Sequence, residues 1–122
     1  MLIVEDYVDA QVLYANHLCD AGYDVVLASD GESAIELAKR LRPRIILMDL
    51  ALPGIDGWEA TRRIRADLGY DASMTIIAVS AMVGEAARVE ALRAGCDGFV
   101  AKPCGPDVIV SVVKTYLESN VA

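Results

Sequence analysis

No apolar run in the chain approaches the roughly 18 residues that a membrane-spanning helix requires, so the bilayer is not expected to organise it. Cysteine is scarce and oddly placed. Cys19, Cys96 and Cys104 form an odd set with no C-x-x-C pair, which fits neither a disulfide framework nor a zinc site and predicts plain thiols in a reducing compartment. Positive charge is short as well: 11 Lys and Arg stand against 18 Asp and Glu. The resulting formal net charge of -7 opposes nucleic-acid binding, which needs clustered cations. The stretches Arg40-Leu41-Arg42-Pro43-Arg44 and Arg62-Arg63-Ile64-Arg65 are brief and diluted by acid, and they read as solvated helix faces. The opening Met1-Leu2-Ile3-Val4-Glu5-Asp6 lacks a basic region and meets acid after four residues, unlike a signal peptide, so a cytoplasmic location is expected.

What is present is enough for one domain. A chain of 122 residues, 55% of them hydrophobic and 24% charged, can bury a core without staples and leaves no room for a second folded unit. Short apolar runs alternate with stretches of helical period, the pattern of a parallel sheet covered by helices on both faces, hence an α/β class. Strands are predicted at Leu2 to Val4, Asp24 to Ala28, Arg44 to Asp49, Thr75 to Val79 and Gly98 to Ala101. Helices are predicted at Val8 to Ala21, Glu32 to Leu41, Gly57 to Leu68, Glu85 to Ala94 and Pro106 to Ser119. In the first helix Val8, Val12, Ala15, Leu18 and Cys19 recur at helical spacing and Gly22 stops it. The near-continuous Ile45-Ile46-Leu47-Met48 suits a central strand buried on both faces. Pro53, Gly54 and Gly57 make the segment after it a loop.

In open parallel sheets, ligands bind beyond the carboxyl ends of the strands. At those ends stand Glu5 and Asp6, then Asp49, Ser80 and Lys102, with Pro103 following the lysine. Three acids, a hydroxyl and an amine suit phosphoryl transfer, which asks for positioning and for neutralisation of charge on the transferred group. Clustered carboxylates offer hard oxygen ligands that match Mg²⁺ and not zinc. One of them can act as a nucleophile, while Lys102 supplies a point charge and Ser80 a hydrogen bond. Taken singly, Glu5 and Asp6 could be capping acids, Asp49 a turn residue, Ser80 a cap and Lys102 a solvated amine. Four strand ends carrying complementary groups weigh against that reading.

The segments Leu2-Ile3-Val4-Glu5-Asp6, Ile46-Leu47-Met48-Asp49-Leu50, Leu52-Pro53-Gly54-Ile55-Asp56-Gly57, Val79-Ser80-Ala81 and Lys102-Pro103 resemble those of the receiver domains of two-component response regulators, over essentially residues 1–122. The resemblance implies a flavodoxin-like (βα)5 three-layer sandwich, with a five-stranded parallel sheet of order 2-1-3-4-5. It implies that Asp49 is the phosphoacceptor and that Glu5, Asp6, Asp49 and the backbone carbonyl of Ala51 hold Mg²⁺. Ser80, Lys102 and the backbone N–H groups of Ala51 and Ala81 would take the phosphoryl oxygens. Ser80 and Phe99 would form the switch, Phe99 without the phenolic OH that a tyrosine would offer a partner. Ala51 and Met82 occupy the positions that tune dephosphorylation; neither can orient water, which implies slow loss of the phosphoryl group. The implied partners are a histidine kinase or histidine phosphotransfer protein, with output through the fourth helix, fifth strand and fifth helix, by a monomer or a weak phosphorylation-dependent dimer. A stand-alone regulator and a segment of a larger regulator or hybrid kinase both remain open.

Two rivals differ in class. An aspartate-nucleophile phosphatase of the haloacid dehalogenase type needs a second acid two residues after its nucleophile, and Asp49-Leu50-Ala51 lacks it. A receiver-like binding module that is never phosphorylated would not need the intact acids and Lys102. Trp58 reads as packing and His17 as a surface residue. Cys104 lies near the site but, with Lys102 as its single basic neighbour, does not read as an activated thiolate.

Overall fold

The computed structural model describes residues 1–68, 74–81 and 84–119. Strands and helices alternate through them as β1 (Leu2–Val4), α1 (Val8–Asp20), β2 (Val26–Ala28), α2 (Gly31–Leu41), β3 (Ile45–Asp49), α3 (Gly57–Leu68), β4 (Thr75–Ser80), α4 (Glu85–Ala94), β5 (Gly98–Ala101) and α5 (Pro106–Ser119). The strands form one parallel sheet in the order β2-β1-β3-β4-β5, the flavodoxin-like arrangement expected. No helix of the described residues is long and apolar enough to cross a membrane.

All five residues of β3 are buried, because the strand has a helical layer on each side. Successive side chains alternate: Ile46 and Met48 join Ala34, Ala38, Ala60, Ile64 and Ala91 from α2, α3 and α4. Ile45 and Leu47 join Tyr14, Leu18, Ile109 and Val113 from α1 and α5. Each fully buried Ile or Leu contributes about 1.5–3 kcal/mol, so this strand is the best-anchored element and a rigid base for the aspartate at its end. Helix ends follow local chemistry. Asp30 caps α2 by accepting from Ser33 N–H at 2.7 Å, and Gly95, at φ 117°, closes α4 as anticipated.

Three expectations need correction. The inward face of α1 is Gln11, Tyr14 and Leu18, while Val8, Val12 and Cys19 face solvent. The helix is turned so that Gln11 meets the polar ends of β1 and β2 and the Tyr14 ring packs under the sheet. Strand β2 is two residues shorter than predicted, since its ladder to β1 begins at Leu2↔Val26 and Asp24 O is taken by the Met1 amino group at 2.7 Å. Arg65 is not solvated. Its side chain is 6% exposed, donating from Nε to Gly95 O (3.0 Å), from Nη1 to Met74 O (2.9 Å) and from Nη2 to Asp97 Oδ2 (2.8 Å). Asp97 Oδ2 also accepts Ile76 N–H at 2.9 Å, so one guanidinium ties α3 to the start of β4 and to the α4–β5 turn. Arg62 and Arg63, which pair with Glu59 on the surface, do match the expectation.

Replacing Arg65 with Met should therefore cost about 2–3 kcal/mol, less than for a fully buried pair because the Asp97 side chain is 45% exposed and can rehydrate. Arg63→Met should change stability by less than about 0.5 kcal/mol; urea unfolding of both variants checks the contrast. A pH dependence follows from Cys96, whose thiol is pushed up to about 11 chiefly by burial, the Thr61 hydroxyl pulling the other way. The folded thiol holds its proton to higher pH than the unfolded one, so its contribution is complete below about pH 9 and lost by about pH 11. Over that window Cys96→Ala should lose stability less steeply than the parent in denaturant titrations.

Candidate functional site

The chain runs from β1 to β2 on one side and then crosses over to β3 on the other, which opens a crevice at the carboxyl edge between β1 and β3. The singled-out residues gather there. Glu5 and Asp6 follow β1 directly, Glu5 buried at 3% and Asp6 exposed. Asp49 is the last residue of β3 and 6% exposed; Ser80 is the last of β4 and fully buried. Lys102 comes immediately after β5, and its backbone N–H bonds to Ser80 O at 2.8 Å, extending the β4–β5 ladder to bring the two together.

One carboxylate oxygen from each of Glu5, Asp6 and Asp49 lies within 4.8 Å of the other two, a donor set able to hold a hard cation. Lys102 Nζ donates to Glu5 Oε2 at 2.6 Å and stands 3.6 Å from Asp49 Oδ2. The other Asp49 oxygen, Oδ1, accepts Ala51 N–H at 3.0 Å. Burial, more than any other influence, raises the Glu5 pKa, with Asp49 adding to it and the Lys102 hydrogen bond opposing. Burial alone would lower the Lys102 pKa, but Glu5 and Asp49 outweigh it, and the ammonium is held charged. Lys102 is thus a half-buried counter-charge paired with two carboxylates, not a freely solvated amine.

The loop after β3 is set by Gly57. Its N–H bonds to Leu50 O at 3.0 Å, and a Cβ there would lie 2.3 Å from Asp49 O and 2.6 Å from Leu50 Cα. The first turn of α3 thereby rests directly on the peptide that carries Asp49, an approach open to glycine alone. Thr61 Oγ1 donates back to Gly57 O at 2.8 Å and fixes that turn. Beside Lys102 a cleft of about 370 Å³ opens, lined in part by Tyr7, Tyr14, Ala81 and Cys104. The Tyr14 hydroxyl and Cys104 Sγ are 3.7 Å apart, and burial foremost, then this thiol, raises the Tyr14 pKa.

Phe99 pairs across from Ala78 and packs half-buried against the core on the α2, α3 and α4 side. Ala51 and Ala81 are exposed, with Ala51 offering a methyl group at the crevice; Met82 lies outside the described residues. His17 is exposed, as expected, and Trp58 is half-buried against the core with its indole N–H buried and unpartnered among the described residues. Gln11 and Gly57 went unnoticed as site residues. Gly57 stood at a predicted loop end, the usual signal for a close backbone approach, whereas Gln11 gave no signal.

A family model described as the response regulator receiver domain matches residues 1–114. The chain is 32% identical over 117 residues to the transcriptional regulatory protein YxdJ of Bacillus subtilis, covering 96% of this chain and 49% of that protein. It is 32% identical over 120 residues to the DNA-binding response regulator MtrA of Mycolicibacterium smegmatis, covering 98% of this chain and 51% of that one. This chain therefore spans about half the length of the curated relatives it matches. In fold it resembles a response regulator receiver domain protein of Methanospirillum hungatei, with a TM-score of 0.88 at 24% identity over 97% of this chain and 92% of that one. Since the family match runs from β1 into α5 and the sheet order agrees with it, the chain belongs to the receiver domains of two-component response regulators.

Proposed function

We propose that Asp49 accepts a phosphoryl group from a phosphohistidine donor, a histidine kinase or histidine phosphotransfer protein, and that the charged carboxylate edge relays the event to protein partners. The observation that carries this reading is the convergence of the Glu5, Asp6 and Asp49 oxygens within 4.8 Å with Lys102 Nζ 3.6 Å from Asp49. In the transfer an Asp49 carboxylate oxygen forms a bond to phosphorus, the donor's P–N bond breaks, and the imidazole nitrogen leaves with the electron pair. Glu5, Asp6, Asp49 and the Ala51 carbonyl are the residues that would hold Mg²⁺, which when bound neutralises charge on the carboxylates and the transferred group.

The chain's own groups do the remaining work. Lys102 exchanges a carboxylate for a phosphoryl oxygen, the Ser80 hydroxyl donates a second contact, and the Ala51 and Ala81 N–H groups complete the cradle. Movement of Ser80 toward the new charge frees space for Phe99 to turn inward, biasing the α4–β5–α5 face between two arrangements. By the family resemblance Ala51 and Met82 fill the positions that tune dephosphorylation, and neither residue type carries an amide or acid to orient water, so hydrolysis is expected to be slow. The domain thus turns over no separate substrate. Its excess of acid assigns output to protein contacts and not to nucleic acid bound by this stretch itself.

Intact-mass measurement after incubation with acetyl phosphate and Mg²⁺ should show one added phosphoryl group on the parent and none on Asp49→Asn or after chelation. Lys102→Met should retain the acceptor yet take up the group about a hundredfold more slowly, the loss expected for one electrostatic contact to the transition state. Equal labelling of the parent and Asp49→Asn would remove Asp49 as the acceptor.

A further inference from the structure

We infer that Gln11 is a positioning residue for the acidic pair Glu5 and Asp6, an inference that rests on the phosphoacceptor reading and adds a residue to it. Gln11 is 8% exposed on the inward face of α1, a place where an apolar side chain would ordinarily pack. Its Nε2 carries two hydrogens, and both have acceptors: the carbonyl oxygen of Glu5, and Ser29 Oγ at 3.1 Å.

The Glu5 carbonyl belongs to the peptide that joins Glu5 to Asp6. That peptide is planar, so its orientation fixes where the Asp6 Cα sits, the point from which the Asp6 carboxylate departs. Strand β1 ends at Val4, and the sheet holds Glu5 through its N–H alone, bonded to Ala28 O at 3.0 Å. The Glu5 carboxylate is steadied by Lys102 and by Tyr7 N–H at 3.3 Å. The remaining polar group, the carbonyl, is the one Gln11 takes. By bonding Ser29 as well, the same amide ties the β1–α1 turn to the β2–α2 turn across the edge of the sheet. Removing a group that orients a metal ligand from behind typically costs about ten- to a hundredfold in metal affinity or activity.

A purely structural bond would stabilise the two turns without altering cation affinity in the folded protein. Mn²⁺ separates the roles, because it takes the same oxygen donors and its free ion is counted directly by electron paramagnetic resonance. Gln11→Met keeps length and volume and removes the donor. With its circular dichroism and cooperative unfolding retained, it should bind Mn²⁺ about tenfold more weakly than the parent, with no phosphodonor present. Unchanged affinity in folded Gln11→Met overturns the inference. Ser29→Ala, at an exposed residue, should weaken Mn²⁺ by a smaller, about twofold factor. It decides the question if Gln11→Met does not fold, and parent-like affinity in Ser29→Ala then overturns the inference. A parent chain that binds no Mn²⁺ overturns the phosphoacceptor reading with it, whereas binding by the parent and equal binding by Gln11→Met overturns this inference alone.

Discussion

Three carboxylates crowded at the edge of a parallel sheet repel one another, and the rest of the structure is arranged around that repulsion. Two unit charges 4.8 Å apart cost about 3–4 kcal/mol at an effective dielectric near 20, more than a typical single hydrogen bond returns. The fold tolerates the crowding because Lys102 reaches from the end of β5 to both Glu5 and Asp49, and because Ala51 N–H and Tyr7 N–H each take a carboxylate oxygen. The Glu5 pKa is nevertheless raised, chiefly by burial and further by the Asp49 charge. A site built this way has an intrinsic demand for further positive charge, which a hard cation on the three carboxylate oxygens would meet.

The same residues that balance the charge also define the resting arrangement. Lys102 and Ala51 N–H are occupied by protein carboxylates, yet both are groups that phosphoryl oxygens would compete for. Because Lys102 N–H is itself bonded to Ser80 O, the competition bears on the β4–β5 edge and not on the lysine alone. Phe99, half-buried on β5 against the core, stands on the same edge. A local exchange of partners at the crevice thus has a short physical route to the face formed by α4, β5 and α5, through bonded backbone and packed side chains.

Rigidity is supplied at two points remote from each other. Gly57 seats α3 against the Asp49 peptide, so the β3–α3 loop closes on a fixed base. Arg65, one helical face further along, pins the opposite end of α3 to Met74, Gly95 and Asp97. Between them α3 is held at both ends, against the Asp49 peptide at the carboxyl edge of the sheet and against the start of β4 at the opposite edge.

Much of this was legible in the amino-acid order. The alternation of elements, the double burial of β3, the stop of α4 at Gly95 and the chemical groups at the strand ends all depend on local pattern, because strand and helix periods and end residues act over a few positions. The sheet order came from the family resemblance and agrees with the structure. What only tertiary packing decided is how each element is turned and which distant groups meet. The spacing of Val8, Val12, Ala15, Leu18 and Cys19 marked a helix correctly and included the buried Leu18, but Val8, Val12 and Cys19 lie outward, since the rotation of α1 is set by Gln11 reaching Glu5 and Ser29 and by Tyr14 packing under the sheet. Arg65 sits in a charged run indistinguishable from the solvated Arg62 and Arg63 until three carbonyl and carboxylate oxygens, up to 32 positions away, surround it. A side chain's reach across the fold has no period in the chain, so sequence order names the groups while the packed structure assigns their partners.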